Sequence, residues 1–229
     1  MTNLSVALIV RDRAAILPQC LACASQVSDD VVIVTNADHK FINYSDQKNY
    51  AVSKCKHDWI LSLDADEWLS SGLIQEISNL KFQTSNYSAY SMPRLNYIFG
   101  KPIYHSDWSP ESDRHVWLFR KSKSTWVNAV HEQVKVNGQI GNLVHPKIHQ
   151  NYQTVEQFLV KMNDYTSFEA QNRKFAFPLV FMYPVWKFVR HYFVFMGFLD
   201  GWHGLFLSYL QAIYGLQIYV KAWQKTKSS

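Results

Sequence analysis

The run Asp64-Ala65-Asp66-Glu67 follows directly on the apolar segment Trp59-Ile60-Leu61-Ser62-Leu63. Side chains two apart on a strand share a face. Asp64 and Asp66 therefore present two hard oxygen donors where a buried strand ends. That donor set suits Mg²⁺ or Mn²⁺, with phosphate oxygens and water completing the shell. An ordinary acidic turn has the same composition. The apolar strand before it and the helix start at Ser70-Ser71 after it favour a site.

A second concentration of chemistry lies between residues 87 and 152. His105, Asp107, Trp108, Glu111, Asp113, Arg114, His131, Glu132, His145 and His149 gather there. Aromatic faces and bidentate polar groups are suited to holding sugars, so an acceptor pocket is expected here. A surface sheet with polar loops is the competing reading.

The elements that must position these groups follow from periodicity. Leu4 to Val10 and Trp59 to Leu63 read as buried strands, and Val31 to Val34 as a second short apolar strand. Asp12 to Ala24, Gln47 to Lys56 and Ser71 to Leu80 read as helices. This alternation implies a mostly parallel sheet with crossover helices. In such sheets ligands sit beyond the carboxyl ends of the strands, where the acidic run falls. Tyr87 to Tyr97, His115 to Arg120, Trp126 to Val130 and Gln133 to Val136 read as further strands, with a turn at Val136-Asn137-Gly138-Gln139.

From Val155 onward the chain reads as helical. Phe188, Tyr192, Phe195 and Leu199 fall on one helical face. Gly204 to Val220 carries no formal charge but is interrupted by Gln211, Gly215 and Gln217. A membrane span, a core-packing helix and an amphipathic helix touching a membrane all remain open for it. The stretch from Phe175 to Trp223 holds 16 of the 35 aromatic residues, and after Glu169 the only acid is Asp200. A basic, aromatic tail fits an anionic membrane surface. Its aromatics are interleaved with Leu, Val and Ile at core-like spacing, which argues against nucleic acid as partner.

With 48% apolar and 18% charged residues, the 229-residue chain can bury a sizeable core. Cys20, Cys23 and Cys55 make no disulfide framework and fit a reducing, cytoplasmic setting. Cys20 and Cys23 form a lone CxxC in a helical segment, so buried thiols are expected rather than zinc. Leu4 to Val10 is too short for a secretory signal and runs into Arg11-Asp12-Arg13.

Ile60-Leu61-Ser62-Leu63-Asp64-Ala65-Asp66-Glu67-Trp68 resembles the metal motif of family-2 glycosyltransferases with the GT-A fold, and more closely that of bacterial lipopolysaccharide-core β-1,4-glucosyltransferases. Gln47-Lys48-Asn49-Tyr50-Ala51 is similar to the family's helix start before the metal strand. Leu118-Phe119-Arg120-Lys121 and Val130-His131-Glu132 resemble its acceptor-side motifs. Ile148-His149-Gln150-Asn151-Tyr152 resembles the end of its catalytic core, and Gly197-Phe198-Leu199-Asp200-Gly201 a turn in its C-terminal helices. The order is the same along most of the chain. Three departures fall on the nucleotide side. Val10-Arg11-Asp12-Arg13 replaces a Thr-Lys-Asn-Glu-like run. The second strand, which in the family ends in an Asp before a Ser/Gly-rich turn, ends here Val34-Thr35-Asn36-Ala37-Asp38. The segment from Asp38 to Gln47 is shorter than the family's.

The resemblance implies an α/β, GT-A-like sheet with flanking helices and a C-terminal helical extension. Residues 1–152 would form the catalytic domain, with the nucleotide side over 1–70 and the acceptor side over 71–152. Residues 153–229 would form the extension. It implies an inverting transfer from a nucleotide-sugar donor to a glycan or lipid-linked acceptor, at the cytoplasmic membrane face. Asp64, Asp66 and His149 would hold Mg²⁺ or Mn²⁺. Asp64, Lys48, Val10, Asp12 and Thr35 would line the donor. Glu132 is the first choice of general base and Asp113 the second. A metal-dependent nucleotidyl or phosphoryl transferase could use the same carboxylates, although no Gly-rich phosphate loop is present. A non-catalytic membrane-associated binding protein is the third reading.

Overall fold

The computed structural model describes residues 3–10, 17–129 and 131–227. In chain order the elements are β1 (Leu4–Val10), α1 (Leu17–Val27), β2 (Asp30–Thr35), α2 (Tyr44–Lys54), β3 (Trp59–Asp64), β4 (Glu67–Leu69), α3 (Ser71–Ser78), β5 (Ala89–Met92), β6 (Arg94–Ile98) and β7 (Lys101–Pro102). They continue with β8 (His115–Arg120), β9 (Ser124–Val127), β10 (Gln133–Val136), β11 (Ile140–Asn142), β12 (Lys147–Tyr152), α4 (Val155–Gln171), α5 (Phe177–Val189) and α6 (Trp202–Lys227).

Contacts divide the chain into two units: Met1–Leu95 with Asp113–His149, and Asn96–Ser112 with Gln150–Ser229. A break at 152/153 was the expectation. Asn96–Ser112 instead goes with the C-terminal helices, because Ile98 and Ile103 share a buried cluster with Tyr152, Phe158, Met162 and Leu207.

The first unit is built on a six-stranded sheet in the order β11-β5-β8-β3-β1-β2. β1 lies between β2 and β3 and is parallel to both, as the strand–helix alternation requires. β8 joins antiparallel on the other side of β3. Leu4 to Ile9 are all buried, which matches the apolar run, interrupted at Ser5, of a strand covered on both faces. Helix α1 buries Cys20, Cys23, Ala24 and Val27, spaced i, i+3, i+4 and i+7. Helix α2 begins three residues before the expected Gln47. The Asn43 side chain accepts the Asp46 N–H and caps it there. The strand expected over Tyr87 to Tyr97 is split into β5 and β6 around Pro93, which cannot donate to a ladder.

In the second unit β6 and β7 form a hairpin with Ile98 opposite Lys101. Its two-residue turn, Phe99-Gly100, has positive φ at both positions, as the tightest hairpin turns require. Helix α4 is capped by Thr154 and buries Phe158, Met162, Thr166 and Ala170 along one stripe. The continuous helical face expected through Phe188, Tyr192, Phe195 and Leu199 does not form. α5 ends at Val189, a π-helical turn covers Arg190–Val194, Met196 adopts φ 54°, and Gly197–Asp200 form a 3-10 turn. The chain reverses there because Gly197 and Gly204 let two backbone segments touch: a Cβ on Gly204 would collide with the Gly197 carbonyl. Gly204 to Val220 lies inside α6. Among the described residues no helix is long and apolar enough to cross a membrane.

Candidate active site

Strand register builds the site's edge. Ile9 lies opposite Asp64 and Val10 opposite Thr35, so the carboxyl ends of β1, β2 and β3 stand side by side. Val10 is half-buried there. Thr35 is committed locally: its N–H and its hydroxyl both donate to Asp38 Oδ2 at 2.8 Å. Its carbonyl accepts from the buried Gln47 amide at 3.1 Å. Asp12 lies outside the described residues.

Lys48 comes from α2 and is buried. Its ammonium sits 3.2 Å from both carboxylate oxygens of Asp64 and 3.1 Å from Glu132 Oε1. The same nitrogen lies 4.6 Å from the centre of the Trp126 ring. Helix α2 is held to β9 by backbone clamps. Asn49 donates to the Trp126 carbonyl and accepts its N–H, while Ser45 donates to the Val127 carbonyl. That clamp carries β9, and with it Glu132, to the strand edge. Burial alone would lower the Lys48 pKa. Asp64, Glu132 and then Glu67 outweigh it and hold it above the usual lysine value, so the ammonium stays charged.

Behind the acidic turn lies a network that sequence reasoning missed. Glu67 is fully buried and its Oε2 accepts the Asp64 N–H at 2.9 Å. Lys147 Nζ donates to the same oxygen at 2.6 Å, and Arg94 Nη1 lies 3.4 Å from Oε1. β4 pairs antiparallel with β12, Glu67 opposite His149 and Leu69 opposite Lys147, which delivers the lysine as a diagonal neighbour. Trp117 covers the cations, 3.7 Å from Lys147 Nζ and 5.3 Å from the Arg94 guanidinium. Burial would raise the Glu67 pKa, but Lys147 and Arg94 hold it below the usual carboxylate value. Glu67 was visible as the fourth residue of the run. No sequence spacing signals partners as distant as Arg94, Trp117 and Lys147.

Asp66 occupies the turn between β3 and β4, with 43% of its side chain exposed, and its Oδ2 lies 3.4 Å from His149 Nε2. The register of β4 with β12 brings the two together. Asp64 instead faces Lys48. Among the described residues no three His, Cys, Asp or Glu side chains converge as a metal site. Asp66 and His149 fit a divalent cation as a two-point holder, the remaining positions falling to phosphate and water.

Asp113 is engaged elsewhere in the first unit. Arg94 holds it in a fork, Nε to Oδ2 at 2.8 Å and Nη2 to Oδ1 at 3.0 Å, and His115 Nε2 is 3.3 Å away. His131 is exposed, with φ 54°. His145 pairs with Glu76 at 3.1 Å, and Arg114 donates to the Leu143 carbonyl. The expected acceptor cluster is thus divided. His105, Asp107, Trp108 and Glu111 belong to the second unit, where His105 meets Asp200 and Asp107 meets Arg190 and His191. Cys20 and Cys23 are buried free thiols, both pushed up by burial, and the Cys23 sulfur accepts the Leu69 N–H. A cavity of about 280 Å³ among Lys81, Tyr87, Tyr90 and Gln139 has no carboxylate in its lining.

No protein-family model matches the chain. An uncharacterized glycosyltransferase of Rickettsia prowazekii is 25% identical over 244 residues, covering 88% of this chain and 82% of the relative. The lipopolysaccharide core biosynthesis glycosyltransferase LpsC of Rhizobium meliloti is 24% identical over 194 residues, covering 80% of this chain and 70% of the relative. Among solved structures, S. aureus TarS 1-349 superposes with a TM-score of 0.40 at 8% identity, covering 100% of this chain and 92% of that one.

Proposed function

We propose that this chain is a glycosyltransferase that moves a sugar, with inversion, from a nucleotide-diphosphate donor to a glycan or lipid-linked acceptor of the lipopolysaccharide type. The relatives named glycosyltransferase, matched along most of the chain, support the activity. The observation that carries the mechanism is the convergence of Asp64 and Glu132 on the buried Lys48 ammonium, beside the Asp66–His149 pair.

In this reading Asp66 and His149 hold Mg²⁺ or Mn²⁺, which when bound neutralises charge developing on the leaving diphosphate. Asp64, fixed through its N–H by Glu67, keeps Lys48 charged at the strand edge, facing the donor phosphates. Val10 and Thr35 flank the nucleotide side. Glu132 takes the proton of the attacking hydroxyl, leaving Lys48 as it does so. Glu132 suits that role better than Asp113, whose carboxylate is already forked onto Arg94. The site works on the GT-A plan of family-2 enzymes, and the aromatic C-terminal helices bring the protein to the cytoplasmic membrane face.

Incubating the full chain with a panel of nucleotide sugars and Mn²⁺ or Mg²⁺ tests this reading, with the product's anomeric configuration read by NMR. Transfer or slow donor hydrolysis with inverted configuration is expected. Turnover of nucleoside triphosphates with every donor left intact would point to a nucleotidyl or phosphoryl transferase instead.

A further inference from the structure

Helix α5 is amphipathic in the inverted sense. Phe177, Phe181, Met182, Val185, Trp186 and Val189 fall on one half of its circumference and all are exposed, Phe181 at 62% and Trp186 at 54%. No residue of α5 is buried. Its other half, with Tyr183, Pro184 and Lys187, meets α6 at Gly215, where a Cβ would come within 3.1 Å of the Tyr183 ring. The one cation of the helix, Lys187, is thus on the packed side, 5.2 Å from the Tyr214 ring centre. In water the arrangement is ordinarily reversed, with charge outward. α6 repeats the pattern: Trp202, Phe206, Tyr209, Ile213 and Leu216 are spaced i, i+4, i+7, i+11 and i+14 and all are exposed. Two adjoining helices in one unit therefore turn apolar faces outward, far beyond the scattered exposed side chains normal for a soluble surface.

The chain after α4 carries charge almost wholly of one sign. From residue 170 onward the charged residues are Arg173, Lys174, Lys187, Arg190, Lys221, Lys225 and Lys227, against Asp200 alone. Asp200 is buried and accepts the N–H groups of Tyr104 and His105. The unit's other acids lie outside α5 and α6: Glu156, Asp164 and Glu169 on α4, the last bonded to Arg173, and Asp107 and Glu111 in the 96–112 segment, with Asp107 3.8 Å from Arg190. A second copy of the chain would bring these cations against their own kind. An anionic surface would attract them, and an apolar interior beneath it would take the aromatic side chains.

We propose that the outward faces of α5 and α6 insert in the plane of an anionic lipid bilayer. The inference deepens the membrane contact of the proposed function by naming the surface and the lipid charge. In-plane insertion agrees with the absence, among the described residues, of any helix able to cross a membrane.

The test is co-sedimentation of the purified full chain with phosphatidylglycerol-containing and pure phosphatidylcholine vesicles over a salt series. The comparison variant is Phe181→Gln/Trp186→Gln, and sedimentation velocity gives the oligomeric state of both proteins. Neither side chain is buried, so the variant should melt with the wild type. Tighter binding to anionic vesicles is expected, weakened but not abolished by salt, and roughly tenfold or more weaker in the variant. Equal absence of binding to both vesicles would overturn the proposal. So would unchanged vesicle binding by the variant, or a stable dimer that the variant converts to monomer, which would make this face a subunit interface. Vesicle binding needs no catalysis, so the assignment as a transferase can fail while this stands, and the reverse.

Discussion

Glu67 and Lys147 form an ion pair at 2.6 Å in which both side chains are wholly shielded from water. The pair fixes the turn that presents Asp64 and Asp66, because Glu67 also accepts the Asp64 N–H. Breaking a buried pair from one side leaves an uncompensated charge, which costs about 3–5 kcal/mol. Glu67→Gln should therefore destabilise the first unit by that order in urea unfolding. Glu67→Gln/Lys147→Met should recover much of the loss. A single variant as stable as the wild type would remove the pair's structural role.

The same carboxylate predicts an acid limb. The folded-state pKa of Glu67 is depressed, chiefly by Lys147 and Arg94 working against burial. Its contribution is present above the ordinary carboxylate value of about 4.3 and is lost as pH falls through the folded-state value. Wild-type unfolding free energy should fall through this range, and in Glu67→Gln the fall should be shallower. Parallel curves for the two proteins would contradict the assignment.

A second acid-sensitive group lies in the second unit. His191 is fully buried against Trp108, and burial pushes its pKa down to about 4 despite Asp107 at 3.4 Å. The unfolded chain then binds more protons than the folded one between about pH 6.5 and that value, so stability falls as pH falls across it. Lys187 and Arg190, the other charges facing it, work in the same direction. His191→Phe should flatten this limb in thermal melts from pH 7 to 5. An unchanged slope would mean that His191 does not titrate there.

The two candidate bases separate by what each removal breaks. Glu132→Gln keeps shape and a hydrogen bond to Lys48 but cannot take a proton, so kcat should fall by about 10²–10⁴-fold with donor affinity little changed. Asp113→Asn takes the charge out of a forked pair with Arg94, which should weaken folding by about 1–3 kcal/mol while much of kcat survives. Near-normal turnover in Glu132→Gln with an inactive, fully folded Asp113→Asn would exchange the roles.

β1 and β8 were legible because burial on both faces writes itself as a nearly continuous apolar run, and both lie where periodicity puts them. The three-residue strands β4 and β11 are too short to carry such a run. The edge carrying Asp64 followed from strand–helix alternation alone. Less legible were events decided by single local contacts, such as the Asn43 cap that starts α2 early and the glycine contact that ends α5 before Phe195. The grouping of Asn96–Ser112 with the C-terminal helices was hidden for a related reason. Ile98 and Ile103 read as ordinary strand residues, and only the fold shows which core they join. Within the site, Lys48, Asp64 and Glu132 could be named from motifs, whereas their sharing of one ammonium could not. Motif order carries residue types, but a partner 84 positions away is set by register and by the clamp of α2 on β9.

The central claim is that donor chemistry happens where the Asp66–His149 pair adjoins the Lys48 cluster. Nucleoside diphosphate release from the best donor, measured in Mn²⁺ for the wild type and Asp66→Ala side by side with their circular dichroism, tests it most directly. Asp66 is nearly half exposed, so the variant should keep the wild-type spectrum and melting temperature. Its rate should drop by roughly a hundredfold or more, the loss of a charge partner worth several kcal/mol in the transition state. Full activity in Asp66→Ala, or undiminished wild-type activity in excess chelator, would contradict the account.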